Sequence, residues 1–346
     1  MDITELLAFS AKKGCSDLHL SAGQVPMLRI AGNMRRTNLP VLENKDVLRL
    51  VHGAMTKQQR DTYENALEVD FSLDVPGVSR FRANIFHQER GVAAVFRVVP
   101  SRVLTMDDLE LGEVFRDIAL RPRGLCVVTG PTGSGKSTTL AAMLDYINNT
   151  RAGHILTIED PIEFVHKSKK CLVSQREVHR DTLDFSDALR SALREDPDVI
   201  MVGEMRDLET IRLALTAAET GHMVFATLHT SSATKTIDRI IDVFPAEEKT
   251  MVRSMLSESL QAVVSQTLLR KLGGGRVVAH EIMLATPALR NLIREDKVAQ
   301  MYSAIQTGGA LGMQTLDSCL ERLVREGMIS LETAQEKARD PGSLSV

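Results

Sequence analysis

Apolar and polar positions change their rhythm along the chain. Over residues 1–100 several periods are mixed. Ile3, Leu6 and Leu7 fall on one face of a short helix. Asp17–Leu20 and Met27–Ile30 alternate as half-buried strands do, with turns at Gly23 and Gly32. Helices are expected near 44–53 and 57–66, then strands over 69–75, 78–87 and 91–99. Pro76-Gly77 marks the turn between the first two of these strands. In Arg80-Phe81-Arg82-Ala83-Asn84-Ile85 the arginines take one face and the apolar groups the other.

A break follows. Pro100-Ser101 and the acidic stretch Met106–Glu110 read as a linker ending at Gly112. Beyond it, short apolar runs alternate with helical segments, the signature of a parallel sheet. The strands are expected over 124–129, 154–159, 199–202 and 223–229, and the helices over 136–149, 184–195 and 207–219. From about 232 to 270 helices are expected to dominate. A Gly273-Gly274-Gly275 turn and a strand over 277–285 come next. Residues 287–346 read as mostly helical, broken at Pro287, Gly308-Gly309 and Gly327.

Composition narrows the class. A chain of 346 residues is long enough for two domains. With 43% hydrophobic and 25% charged residues it is neither disordered nor a disulfide framework. Aromatics at 4% and the absence of Trp give little material for stacking bases. Lys plus Arg number 42 against 45 Asp plus Glu, so no direct nucleic-acid partner is expected. Cys15, Cys126, Cys171 and Cys319 are too scattered for a zinc site and fit small buried hydrophobes in a reducing cytosol. The N-terminus has no signal-peptide pattern, and no apolar run approaches the roughly eighteen residues of a transmembrane segment. Peripheral association with a membrane machine stays open.

The chemistry is concentrated in the second region. Gly130-Pro131-Thr132-Gly133-Ser134-Gly135-Lys136-Ser137, followed by Thr138, fits G-x-x-x-x-G-K-[ST] between an apolar strand and a helix. Its glycines let backbone N–H groups converge on phosphate oxygens, and the helix N-terminus adds positive potential. Lys136 is expected at the β- and γ-phosphates and the Ser137 hydroxyl on Mg²⁺. Asp198–Val202 is an apolar strand running into Gly203-Glu204. The usual metal-side aspartate position is a glycine, which leaves Glu204 as the candidate to activate water. Glu159, Asp160 and Glu163 end another strand and could hold Mg²⁺ through water or position the nucleophile. His222 and His229 bracket a fourth strand. They could sense a γ-phosphate or bridge subunits, against the commoner reading of packed histidines. Phosphoryl transfer also wants a cation on the developing charge, for which Arg80, Arg82, Arg90 and Arg97 are candidates.

Taken in order, the phosphate loop (130–138), the acidic box (157–166), the atypical Walker B element (198–207) and the histidine box (220–233) resemble the secretion ATPase superfamily. Ala288-Leu289-Arg290-Asn291-Leu292-Ile293-Arg294-Glu295 is similar to the AIRNLIRE motif of the type IV pilus retraction ATPases, with Leu289 in place of Ile. The resemblance spans essentially the whole chain. Pilus assembly relatives are longer and carry a paired-cysteine zinc element missing from this sequence. The resemblance implies an α/β chain with a PAS-like α+β domain over 1–100, a linker over 101–112, a RecA-like P-loop ATPase domain over 113–286 and a helical C-terminal region over 287–346. It implies ATP and Mg²⁺ as ligands, with Glu163 and Glu204 as catalytic acids, Lys136 as the phosphate lysine and His222 and His229 as the histidine pair. Arg82 and Arg97, on hairpin strands shortly before the linker, are expected to act across a domain or subunit boundary. It further implies a cytoplasmic homohexamer, peripheral to the inner membrane at the pilus base, that drives pilus retraction and twitching motility. Its partners would be the inner-membrane platform protein and an accessory retraction ATPase. Residues 288–295 are expected to transmit force, with Leu289, Leu292 and Ile293 on one helix face and Arg290, Arg294 and Glu295 toward the other. The alternatives are the accessory retraction paralogue, a RecA-like DNA motor and a non-catalytic nucleotide-gated scaffold.

Overall fold

The polar–apolar alternation of the first hundred residues builds an antiparallel sheet with helices against one face. We describe a computed structural model over residues 2–30, 32–99 and 102–344. Met1, Ala31, Pro100 and Ser101 (the start of the expected linker) and Ser345-Val346 lie outside the described residues. The chain forms two units, Met1–Arg102 and Val103–Val346.

The first unit runs α1 (Ile3–Lys12), β1 (Asp17–Ser21), β2 (Met27–Ile30), β3 (Asn33–Arg36), α2 (Asn44–Ala54), α3 (Lys57–Ala66), β4 (Glu68–Val75), β5 (Ser79–Gln88) and β6 (Gly91–Val99). The strand order is β3-β2-β1-β6-β5-β4. Reciprocal capping by Asp2 and Glu5 starts α1, and by Thr56 and Gln59 starts α3. Leu18, Leu20, Phe81, Ala83, Ile85 and Phe96 meet Leu6, Leu7, Val47 and Val51 in one core. The other sheet face carries charge: Asp17 is paired in register with Arg29 and with Arg97, and Arg97 with Arg82. Strand β3 was not expected, because all its residues are exposed and it has no apolar face to pattern.

The second unit starts with α4 (Glu113–Ala119), β7 (Gly124–Thr129), α5 (Lys136–Thr150), β8 (Gly153–Glu159) and β9 (Cys171–Glu177). It goes on with α6 (Phe185–Ala192), β10 (Val199–Val202), α7 (Leu208–Glu219) and β11 (Met223–Leu228). Then come α8 (Ala233–Asp242), α9 (Lys249–Ser259), β12 (Leu260–Arg270), β13 (Arg276–Leu284), α10 (Pro287–Arg294), α11 (Met301–Thr307), α12 (Leu316–Arg325) and α13 (Leu331–Gln335). The sheet order is β13-β12-β7-β11-β10-β8-β9, parallel throughout except for β13. Leu125, Val127, Ile200 and Val224 face α6 to α9 on one side, while Cys126, Val128, Met201 and Phe225 face α4 and α5 on the other. Burial on both faces is why these strands read as continuous apolar runs.

Two expectations change here. Residues 260–270 are not helical but form β12, which lies beside β7 in the sheet. An apolar run buried on both faces has no period that separates strand from helix. The acidic stretch read as linker packs on the second unit, with Met106 and Leu111 buried beside Phe115 and Ile118. The C-terminal helices cover the far end of the β12–β13 hairpin, where Leu269 and Ala279 meet Cys319, Leu320 and Leu323. All four cysteines are buried. Among the described residues no helix is long and apolar enough to cross a membrane.

Candidate functional site

Parallel strands deliver their carboxyl ends to one edge of the sheet, and the loops there carry the candidate chemistry. The phosphate loop leaves β7, the acidic box leaves β8, Gly203-Glu204 leaves β10 and His229 leaves β11.

Gly130, Gly133 and Gly135 have φ values of 142°, 80° and 91°, conformations that side chains rarely adopt. At Gly130 a Cβ would stand 2.2 Å from the Gln266 carbonyl oxygen, so only glycine lets the loop pass this close to β12. The Gln266 side chain holds the loop as well. Its Nε2 donates to the Ser134 carbonyl at 2.8 Å, and its Oε1 accepts from the Thr139 hydroxyl at 3.0 Å. Sequence reading missed Gln266. The one available signal was a buried amide inside the apolar run 260–270.

Lys136 opens α5 and folds back on its own loop. Its Nζ donates to the carbonyls of Gly130 (2.9 Å) and Pro131 (3.3 Å) and lies 3.5 Å from His229 Nδ1. His229 Nε2 lies 3.2 Å from Glu204 Oε1, and Glu204 Oε2 lies 2.8 Å from Arg206. A proton on Nε2 lets the ring donate to the Glu204 carboxylate, while Nδ1 faces the Lys136 ammonium. Lys136, His229, Glu204 and Arg206 thus form one chain across the ends of three strands. Burial pulls the Lys136 ammonium below its usual pKa, against the opposing charges of Glu204 and Glu163. Burial would raise the Glu204 carboxyl, but Arg206 and His229 outweigh it and hold the pKa below the ordinary value.

The glycine at the usual aspartate position lies close against the backbone of β8. A Cβ on Gly203 would stand 3.1 Å from the Ile158 carbonyl oxygen and 3.3 Å from Glu159 Cα. The acid is displaced to position 204. In the acidic box, Glu159 is buried and accepts from the Thr157 hydroxyl (2.7 Å), Gln175 Nε2 (3.1 Å) and the Glu163 N–H (3.3 Å). Burial lifts its pKa to about 7. Asp160 and Glu163 are exposed, and Glu163 acts on Lys136 through its charge.

Ser137 and Thr138 stand half-buried in the first turn of α5, with Pro131, Thr132 and Gly133 exposed before them. Among the described residues no cluster of three His, Cys, Asp or Glu could hold a metal ion. The donors fit Mg²⁺ shared with a substrate phosphate: one hydroxyl at a phosphate loop, the rest from phosphate and water.

Within the second unit, one assignment separates from this site. His222 stands before Met223, at the opposite end of β11, where Met223 pairs with Gly124. Its Nδ1 lies 3.0 Å from the Ala217 carbonyl oxygen, and its own carbonyl accepts from the Gly124 N–H. A strand of six residues, about 20 Å at about 3.3 Å each, divides it from the phosphate loop. Within one chain, His222 is therefore a packing residue at the wrong edge. Arg82 and Arg97 are exposed on the first unit's sheet, with Arg97 Nε 2.8 Å from the buried Asp17 Oδ1.

In the 288–295 segment, Leu289 and Ile293 are fully buried and Leu292 is half-buried. Arg290 is not on a free polar face. It donates to the carbonyls of Ala285 (2.9 Å), Glu258 (2.7 Å) and Ser257, and so caps the carboxyl end of α9. Arg294 is exposed and pairs with Glu258 at 2.7 Å.

A family model described as Type II/IV secretion system protein matches residues 2–274. The chain is 74% identical over 341 residues to the type IV pilus retraction ATPase PilT of Pseudomonas aeruginosa, spanning 99% of both chains. It is 61% identical over 321 residues to a twitching motility protein of Neisseria gonorrhoeae, spanning 92% of this chain and 86% of that one. With the type IV pilus ATPase PilU of Pseudomonas aeruginosa it shares 39% over 345 residues, spanning 99% of this chain and 90% of that one. A crystal structure of the pilus retraction motor PilT with bound ADP superposes with a TM-score of 0.93 at 50% identity, covering 99% of this chain and 98% of that one. Phosphate loop, displaced Walker B acid and full-length likeness agree: the chain belongs to the Type II/IV secretion system protein family, in its group of pilus retraction ATPases.

Proposed function

We propose that this chain hydrolyses ATP to power the retraction of type IV pili and, through it, twitching motility. The observation that carries the reading is the chain Lys136–His229–Glu204, which joins the phosphate loop to the ends of β10 and β11. The loop N–H groups cradle the phosphates, and Lys136 leaves the Gly130 and Pro131 carbonyls for the β- and γ-phosphate oxygens. Glu204, held ionised, takes a proton from the attacking water as its oxygen bonds to the γ-phosphorus and the bond to the β-phosphate oxygen breaks. Glu163 adds a second carboxylate on the water's side. His229, bonded to both Lys136 and Glu204, is placed to register whether the γ-phosphate is present. Mg²⁺ on Ser137 would neutralise phosphate charge.

The remaining parts of the reading rest on the family. The working form is a cytoplasmic homohexamer at the inner-membrane base of the pilus, with Arg82 and Arg97 supplying cations from a neighbouring copy. Its partners are the inner-membrane platform protein and an accessory retraction ATPase. Its working parts are a first unit ending near residue 102 and a second unit that carries the ATPase domain to residue 286 and a helical region over 287–346. Identity of 74% with the retraction enzyme against 39% with PilU supports the main retraction role over the accessory one.

Glu204→Gln keeps the shape and removes the base. Turnover should fall by roughly 10²–10⁴ with ATP binding retained. Lys136→Ala should weaken nucleotide binding itself. Near-wild-type phosphate release from the Glu204 variant would refute the assignment.

A further inference from the structure

Residues 160–166 leave β8 as an irregular loop, and Glu163 stands exposed on it. Side chains of β8 and β9 hold the main chain of this loop. The two strands are parallel and in register, Thr157 opposite Gln175 and Glu159 opposite Glu177, so these four side chains share one sheet face. From that face, Glu177 accepts the Ile162 N–H at 3.0 Å and Glu159 accepts the Glu163 N–H at 3.3 Å. Gln175 makes the most contacts. Its Oε1 accepts the His166 N–H at 2.7 Å, and its Nε2 donates to the Phe164 carbonyl at 2.9 Å and to Glu159 Oε1 at 3.1 Å. One amide therefore grips the chain just after Glu163, directly at Phe164 and His166, and reaches the Glu163 N–H itself through Glu159.

We propose that Gln175 is a positioning residue for hydrolysis, fixing the loop so that the Glu163 carboxylate meets the phosphate loop and Lys136 in a single pose. The inference rests on the reading of Glu163 as a catalytic acid. Gln175 lies on β9, the edge strand, outside the four nucleotide motifs, and its side chain bonds to the loop main chain and to Glu159. Its effect should therefore appear in turnover and not in nucleotide affinity. A merely structural anchor would lower the melting temperature without that split, and without dependence on Glu163.

The experiment is a double-mutant cycle on the full chain, with Glu163→Gln, Gln175→Met and both together. Kcat, KM for ATP, nucleotide affinity and melting temperature are read for each. Gln175→Met should lower kcat roughly 10–100-fold, the usual scale for a catalytic group misplaced by about an ångström, with nucleotide affinity within about threefold of wild type. Added to Glu163→Gln, it should cost little more. Gln175→Asn keeps the amide but withdraws it by one methylene. It should show the same split and takes the place of the Met variant if that one fails to assemble. Full turnover in both Gln175 variants while Glu163→Gln is impaired overturns the positioning role, as does full additivity in the double variant. Full turnover in Glu163→Gln would instead remove the underlying reading of Glu163, and the proposal with it.

Discussion

Glu159 is an acid kept where an ion is costly. Its folded pKa is raised from 4.5 to about 7 by burial, so the folded state binds this proton more tightly than the unfolded chain does. Its contribution to stability is best below pH 4.5, declines as pH climbs from 4.5 to 7, and above that carries a full penalty on the order of 3 kcal/mol. Glu159→Gln removes the ionisable group, so its melting temperature relative to wild type should rise between pH 5 and pH 8. Comparing the two proteins at each pH cancels the opposite slope of buried His280, whose pKa is lowered to about 4. A difference that stays flat with pH would show that Glu159 is not titrating near neutrality. At this scale the sequence disclosed what is local. Gly130 to Lys136 and the Gly203-Glu204 step are spelled by adjacent residues. Gln175 and Gln266 were hidden because their partners lie 9–16 and 127–132 positions away, and a lone amide in a strand carries no spacing to read.

Among the elements, α10 shows how a segment can look like a docking helix and be largely a fastener. Leu289 and Ile293 anchor it in the core, and Arg290 crosses to the end of α9, directly before β12 enters the sheet. Hydrogen bonds from a cation to helix-end carbonyls outrank a solvent-exposed ion pair. Arg290→Ala should therefore cost about 1–3 kcal/mol in urea unfolding. Arg294→Ala loses the exposed pair with Glu258 and should cost less than about 1 kcal/mol. Equal losses would argue against the cap. The same Arg294 variant tests force transmission: it should keep basal ATPase activity yet leave cells with surface pili and no twitching. A parallel fall in ATPase activity would return the residue to a structural role. The pattern of Leu289, Leu292 and Ile293 was visible as a helical face. That Arg290 turns back to α9 was not, since the sequence shows which face a side chain starts from and not where a long one ends. Residues 260–270 posed the reverse difficulty, an element whose burial on both faces erased its period.

The whole molecule divides its chemistry between two units. The phosphate loop and both proposed acids belong to the second, while the row Arg29–Asp17–Arg97–Arg82 crosses the sheet of the first. If Arg97 acts on a neighbouring copy, mixing Arg97→Ala subunits with Lys136→Ala subunits should restore part of the hydrolysis that neither has alone. One partner brings the arginine and the other the loop. Assembled mixtures that stay inactive would end the trans assignment for that residue, and the same mixture tests Arg82. The division into units was legible from the change of rhythm near residue 100; the charged row was legible on β5 and lost elsewhere, because cross-strand register is not written in sequence. The interior placement of all four thiols has a practical side. Cys126, at the centre of the sheet, has its pKa pushed up to about 12, far from the reactive thiolate. The native chain should be nearly silent to thiol reagents, so a cysteine introduced at an exposed position on either unit would be the site that takes a dye or spin label. The protein comes with its own clean background for watching the two units while ATP turns over.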